Sequence, residues 1–165
     1  MQFKVGEKVI YPGRGICQIS QISTQDIDGK SVEFYHLIFL RTEASVMVPV
    51  KKARAVGIRR LLNKSEVPKV YAFLKQQIPA PSRDYKVRYQ RNVNRLASGT
   101  IFDIADVVKS LTYLSSIKKL SERESDMLER ARALLINEIA QVTSTDRDEV
   151  QAKVDQTLEL FQIES

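Results

Sequence analysis

An α+β chain of two modules is predicted, and three observations predict it. Up to Pro49 the chain is short, β-rich and punctuated by turn residues; beyond it the apolar residues recur at helical spacing. The charge divides along the same line. Residues 1–60 carry ten Lys/Arg against five acids, residues 61–100 eight against two, and residues 101–165 eight against thirteen. A polyanionic partner would therefore engage the middle of the chain. At 165 residues there is room for one large domain or two small ones.

The first module is expected to be a small barrel or bent sheet. Phe3 to Ile10 alternates weakly around Gly6, and Pro12-Gly13-Arg14-Gly15 makes a turn. Ile16 to Ile22 reads as a second strand, Asp26 to Gly29 as a hairpin, and Val32 to Leu40 as a third strand. Ser45 to Val50 forms another. Pro49 cannot donate to a ladder, which places that strand at an edge or ends it there.

The period then changes. Lys51 to Leu62 is a basic connector with a short helix from Val56, and Ser65 caps a helix running to about Gln77, with Pro68 in its first turn. Ser82 opens the next helix and Gly99 closes it. On that helix Tyr85, Tyr89, Asn92, Val93 and Leu96 share one side, with Arg88 at the border and the other cations spread over the rest. Thr100 with Asp103, and Ser121 with Glu124, are capping-box pairs. Ile101, Ile104, Ala105, Val108, Leu111 and Leu114 line the first of those helices; Met127, Leu128, Ala131, Leu134, Leu135 and Ile139 line the second. Thr145 to Asp148 opens a last helix with Val150, Val154, Leu158 and Phe161 inward. An all-α bundle of about five helices is expected.

Catalysis finds no support. His36 is the one histidine and sits inside a strand; Cys17 is the one cysteine, flanked by isoleucines. Together they cannot build a usual transition-metal site or an internal disulfide, and a reducing compartment follows. Neither GxxxxGK[ST] nor GxGxxG occurs, so no nucleotide cofactor is expected. The first residues lack the apolar region of a signal peptide, and no apolar run spans a membrane. The expectation is a non-enzymatic protein of the cytoplasm without cofactor, metal, membrane or small-molecule substrate.

Five phrases in fixed order carry a resemblance: FKVGEKVIYPGRGICQI, VPV, VGIR, YKVRYQRNVNRLASG and LSERESDMLERARALL. Together they resemble the bacterial CarD/CdnL family of RNA-polymerase-binding transcription regulators. The opening phrase is also similar to a module of the transcription-repair coupling factor. The resemblance implies a Tudor-like or SH3-like RNA-polymerase-interacting domain over 1–55, a connector over 56–64 and a helical DNA-binding domain over 65–165. It implies docking on the polymerase β subunit, sequence-tolerant, minor-groove contact with promoter DNA at the upstream edge of the bubble that stabilises the open complex, and a nucleoid-associated place in the bacterial cytoplasm.

Residue by residue, the family's DNA wedge is a tryptophan, and Tyr85 stands at that place, with Arg83, Lys86, Arg88, Arg91 and Arg95 around it. The polymerase contact maps to Gln25, Ile27, Val46, Met47 and Val48. Familiar members have arginines matching Gln25 and Met47, so this docking surface would be more apolar, or displaced toward Arg41 and Lys51. The alternative function is a protein–protein adaptor whose helical domain binds another protein; the acidic last third favours it and the basic helix disfavours it.

Overall fold

The computed structural model describes residues 2–159 and 163–164. The chain forms two compact units, Met1–Leu61 and Leu62–Ser165.

The first unit is a five-stranded antiparallel sheet in the order β4-β3-β2-β1-β5. Its strands are β1 (Lys8–Tyr11), β2 (Gly15–Ile27), β3 (Lys30–Phe39), β4 (Ser45–Pro49) and β5 (Arg59–Arg60). The first strand is shorter than Phe3 to Ile10, because the chain turns through Gly6 at φ +89° before pairing begins. Asp28 and Gly29 both adopt positive φ, the conformation that joins two strands through a two-residue hairpin.

A register shift between Ile19 and Gln21 explains a sequence pattern that simple alternation cannot. Ser20 is the extra residue, so Ile19 lies opposite Leu37 while Ile22, three residues on, lies opposite Tyr35. Both isoleucines thereby reach the inner face. Val9, Cys17, Ile19, Tyr35, Leu37, Phe39 and Val48 fill that face, closed over by Phe3, Ala53 and Ile58. The backbone N–H of Phe3 donates to the buried Tyr35 hydroxyl at 3.0 Å, so the ring keeps a hydrogen bond inside the core.

The segment after Pro49 corrects two expectations. A 3₁₀ turn, Val50–Lys52, leads into α1 (Ala53–Val56), so the short helix ends at Val56 instead of beginning there. Gly57 stops it at φ +94°, and a Cβ on Gly57 would meet Pro12 Cγ at 3.1 Å. Arg59–Arg60 then pairs with β1, Val9 opposite Arg60, and completes the sheet.

Cys17 is fully buried, and burial pushes its thiol up to about 12. A thiol so placed is neutral and inaccessible, hence inert. At pH 8 its alkylation by iodoacetamide is expected to follow unfolding of the sheet, with no fast phase. The free thiol near 9.0 ionises more readily than the buried one. Stability from this group is therefore full below pH 9 and is lost as the pH climbs toward 12. Cys17→Ala should remove that alkaline component in urea titrations.

The second unit contains α2 (Val67–Lys75), α3 (Tyr85–Ser98), α4 (Ile101–Ile117), α5 (Glu122–Thr143) and α6 (Arg147–Leu158). A two-residue parallel pair, β6 (Ile78–Pro79) with β7 (Ile163–Glu164), is added. The capping expectations separate cleanly. Thr100 accepts from Asp103 N and Ser121 from Glu124 N, as expected. Asp84 caps α3 in place of Ser82, and Asp146 caps α6. Helix α2 begins at Val67 after a 3₁₀ turn and has no side-chain cap, so Ser65 does not serve.

Most apolar positions read from helical spacing enter the core, centred on α4; Leu128 and Leu134 only pack against it, half-buried, while Val107, Ile136 and the α2 residues Val67, Val70, Tyr71 and Leu74 join it. Phe161 lies outside the described residues. Lys109 is a buried cation of that core: its Nζ donates to the carbonyls of Phe73 and Gln76 at 2.8 and 2.6 Å and ends α2. Burial pulls its pKa down. Glu138, also buried, accepts from Leu62 N at 2.8 Å.

Candidate nucleic-acid and polymerase interfaces

The sequence makes α3 an apolar seam backed by cations; its buried line in the structure is Arg88, Asn92 and Leu96. That line lies one position round from the expected centre, leaving Tyr85, Tyr89 and Val93 half-buried. The reason is Arg88. Its Nε and Nη2 donate to Glu124 Oε2 and Oε1 at 2.7 and 2.9 Å, and its Nη1 donates to Ser82 O at 2.9 Å. Arg88 is 4% exposed and Glu124 1%. The Glu124 bond raises the Arg88 pKa. Arg88 was placed among the DNA-contacting residues; instead it is held inside the bundle and cannot reach a phosphate from this position.

What remains outward is compact. The Tyr85 and Tyr89 rings stack with centroids 5.7 Å apart and 20° between planes. Arg123, from the first turn of α5, sits 4.4 Å over the Tyr89 ring. Arg83, Lys86, Arg91 and Arg123 are exposed. Arg95 is half-buried, donating to Asn92 Oδ1 at 2.9 Å and lying 4.0 Å from Asp106. Two flat rings among exposed cations can stack on a base and neutralise phosphates. Arg123 was missed from sequence because it belongs to a different helix, in an acidic stretch. The signal that could have found it is the capping box itself, which fixes Arg123 beside the buried Glu124.

On the sheet, the five expected polymerase contacts divide by face. Val48 is 4% exposed and belongs to the inner core, and Val46 packs against that core, half-buried. These two are corrected: alternate residues of β4 point inward, so Val46, Met47 and Val48 cannot share an outer surface. Met47 is 40% exposed and Ile27 44%, and Gln25 is exposed. Among the described residues strand β4 is at the sheet edge and pairs with β3 alone. Met47 stands opposite His36, whose Nε2 lies 2.6 Å from Ser23 Oγ. The histidine is thus a partnered residue of the outer face. Among the described residues no group of three or more His, Cys, Asp or Glu could hold a metal, and no helix is long and apolar enough to cross a membrane.

The two units are a five-stranded antiparallel sheet and a helical bundle whose α3 carries exposed cations. The chain belongs to the CarD family, whose members are non-enzymatic regulators that bind RNA polymerase. Residues 69–155 match the CarD C-terminal domain, and residues 3–62 match the CarD-like/TRCF RID domain. It is similar to "Putative transcription factor YdeB" of Bacillus subtilis (strain 168), 24% identical over 137 residues, which is 83% of this chain and 90% of that one. It is also similar to the solution structure of the 72-residue N-terminal domain of Myxococcus xanthus CarD. That comparison has 36% identity and a TM-score of 0.32, over 36% of this chain and 79% of the other.

Proposed function

We propose that the sheet docks on the RNA polymerase β subunit while the helical unit leans on promoter DNA at the upstream edge of the bubble and stabilises the open complex. The observation that carries the DNA half is the Tyr85–Tyr89 stack framed by Arg83, Lys86, Arg91 and Arg123. A ring already held by a stacked neighbour loses little freedom when it meets an unstacked base step in the minor groove. No base-reading set accompanies it, so binding is sequence-tolerant and weak until the polymerase tether raises its effective concentration. A regulator of this kind works only through differential affinity for the open form. A difference of about 1.4 kcal/mol moves the closed-to-open ratio about tenfold.

The docking half rests on an edge strand with free backbone groups, an exposed Met47 in its middle, and Ile27 and Gln25 at the hairpin end of the neighbouring strands. Met47→Asp in the full chain is expected to weaken capture of purified polymerase β subunit with little change in thermal stability. Tyr85→Ala is expected to shorten open-complex lifetime in a heparin challenge while polymerase capture stays intact. If Tyr85→Ala abolished capture and left lifetime alone, the two roles would have to be exchanged.

A further inference from the structure

Four side chains of the helical unit form a row of contacts across two helices. The Arg88 guanidinium carbon lies 5.5 Å from the centre of the Tyr85 ring, and the Tyr85 and Tyr89 rings stack at 5.7 Å. The Arg123 guanidinium carbon lies 4.4 Å from the centre of the Tyr89 ring. Both ends of this row depend on the first turn of α5. Arg123 belongs to that turn, and its neighbour Glu124 holds Arg88 by two hydrogen bonds of 2.7 and 2.9 Å. Ser121 fixes the turn itself, its Oγ accepting from Glu124 N at 3.2 Å.

Tyr85 is the first residue of α3, a place where helices fray. Here the entry is pinned. Arg88 Nη1 donates to Ser82 O at 2.9 Å, Asp84 N donates to Ser82 Oγ at 3.1 Å, and Val87 N donates to Asp84 Oδ1 at 3.2 Å. Held by Glu124 on one side and Ser82 on the other, the Arg88 fork cannot swing away from the ring. A guanidinium so fixed attracts an aromatic face.

Stability does not account for the ion pair. Arg88 and Glu124 are 4% and 1% exposed, and replacing a buried pair whole by apolar side chains of similar volume commonly costs a fold little. What an apolar pair cannot supply is a fixed cation beside the Tyr85 ring.

We infer that Arg88 and Glu124 are positioning residues for Tyr85. Glu124 orients the Arg88 guanidinium, and the guanidinium sets the attitude of the ring presented to DNA, while neither residue touches DNA itself. The inference rests on the DNA role proposed above for Tyr85.

The test compares four full-length proteins: the unsubstituted chain, Tyr85→Ala, the double variant Arg88→Met with Glu124→Leu, and the three substitutions combined. Each is measured at a temperature where circular dichroism shows the helical unit folded. NMR of ¹³C-labelled tyrosine rings reads the stack, and a heparin challenge reads open-complex lifetime. In the double variant the nuclear Overhauser contacts between the Tyr85 and Tyr89 rings are expected to weaken, while the core residue Tyr71 keeps its shifts. Lifetime should shorten about two- to fivefold, with polymerase capture unchanged. In the Tyr85→Ala background the same pair of substitutions should change lifetime by less than about twofold, because their effect passes through the ring. A loss that persisted in that background would make the pair merely structural and overturn the inference. So would undisturbed rings in the double variant, or an unchanged lifetime there while Tyr85→Ala shortened it. If Tyr85→Ala itself left lifetime unchanged, the DNA reading would fail, and the ring contacts would separate that failure from one of the Arg88–Glu124 support. Should the double variant not fold, Arg88→Lys, which keeps the buried charge and loses the fork, carries the same comparison.

Discussion

Arg88→Ala is expected to lower the stability of the helical unit by about 3–5 kcal/mol, a large share of the roughly 5–15 kcal/mol typical of a folded domain. The loss arises less from the missing attraction than from what stays behind. Glu124, 1% exposed, would retain a buried negative charge with neither guanidinium nitrogen to meet it. Ser82 O would also lose its donor. The double variant Arg88→Met with Glu124→Leu removes both charges while keeping much of the volume, and is expected to lose far less than Arg88→Ala. Urea unfolding followed by helical circular dichroism measures all of these. Losses for Arg88→Met alone and Glu124→Leu alone that simply add to that of the double variant would show that the pair is not coupled. Under conditions where the double variant is folded, its DNA salt dependence should match that of the unsubstituted chain, because Arg88 does not face outward.

The largest effect on binding is expected from Arg83→Ala, Lys86→Ala and Arg123→Ala combined. Each cation that neutralises a phosphate contributes about 0.9 to the slope of log affinity against log salt on B-form DNA. The triple variant should therefore flatten that slope by roughly 2–3 and weaken binding to any duplex sequence alike. All three side chains are exposed, so the thermal midpoint should barely move. Fluorescence anisotropy with a forked duplex between 50 and 200 mM salt reads this directly. An unchanged slope would remove the α3–α5 face from the DNA interface.

Much of the fold was legible because single residues decide it locally. Thr100 and Ser121 cap helices as their side chains dictate, and Gly99 ends α3 in the left-handed region. Pro49 marks the end of an edge strand. What was not legible depends on partners distant in sequence. Arg88 reads as a surface cation until Glu124, thirty-six residues away, is brought beside it. Ser20 gives no sign of a bulge until β3 sets the register. The two-residue strand Arg59–Arg60 is too short for any periodicity to show. Val48 is a different matter, since alternation along β4 already separates it from Met47. Arg123 became visible as a DNA-facing candidate only when α3 and α5 were seen side by side.

The pairing of Val9 with Arg60 has a consequence for how the protein is made. The strand nearest the start of the chain can gain its second neighbour only after some fifty further residues have been synthesised, and loop-closure entropy opposes such a late contact. Until then its open flank is a template for stray strands, the hazard that edge protection exists to prevent. A gene fragment ended at residue 55 would make that passing vulnerability permanent, whereas one carried through Leu61 would seal it.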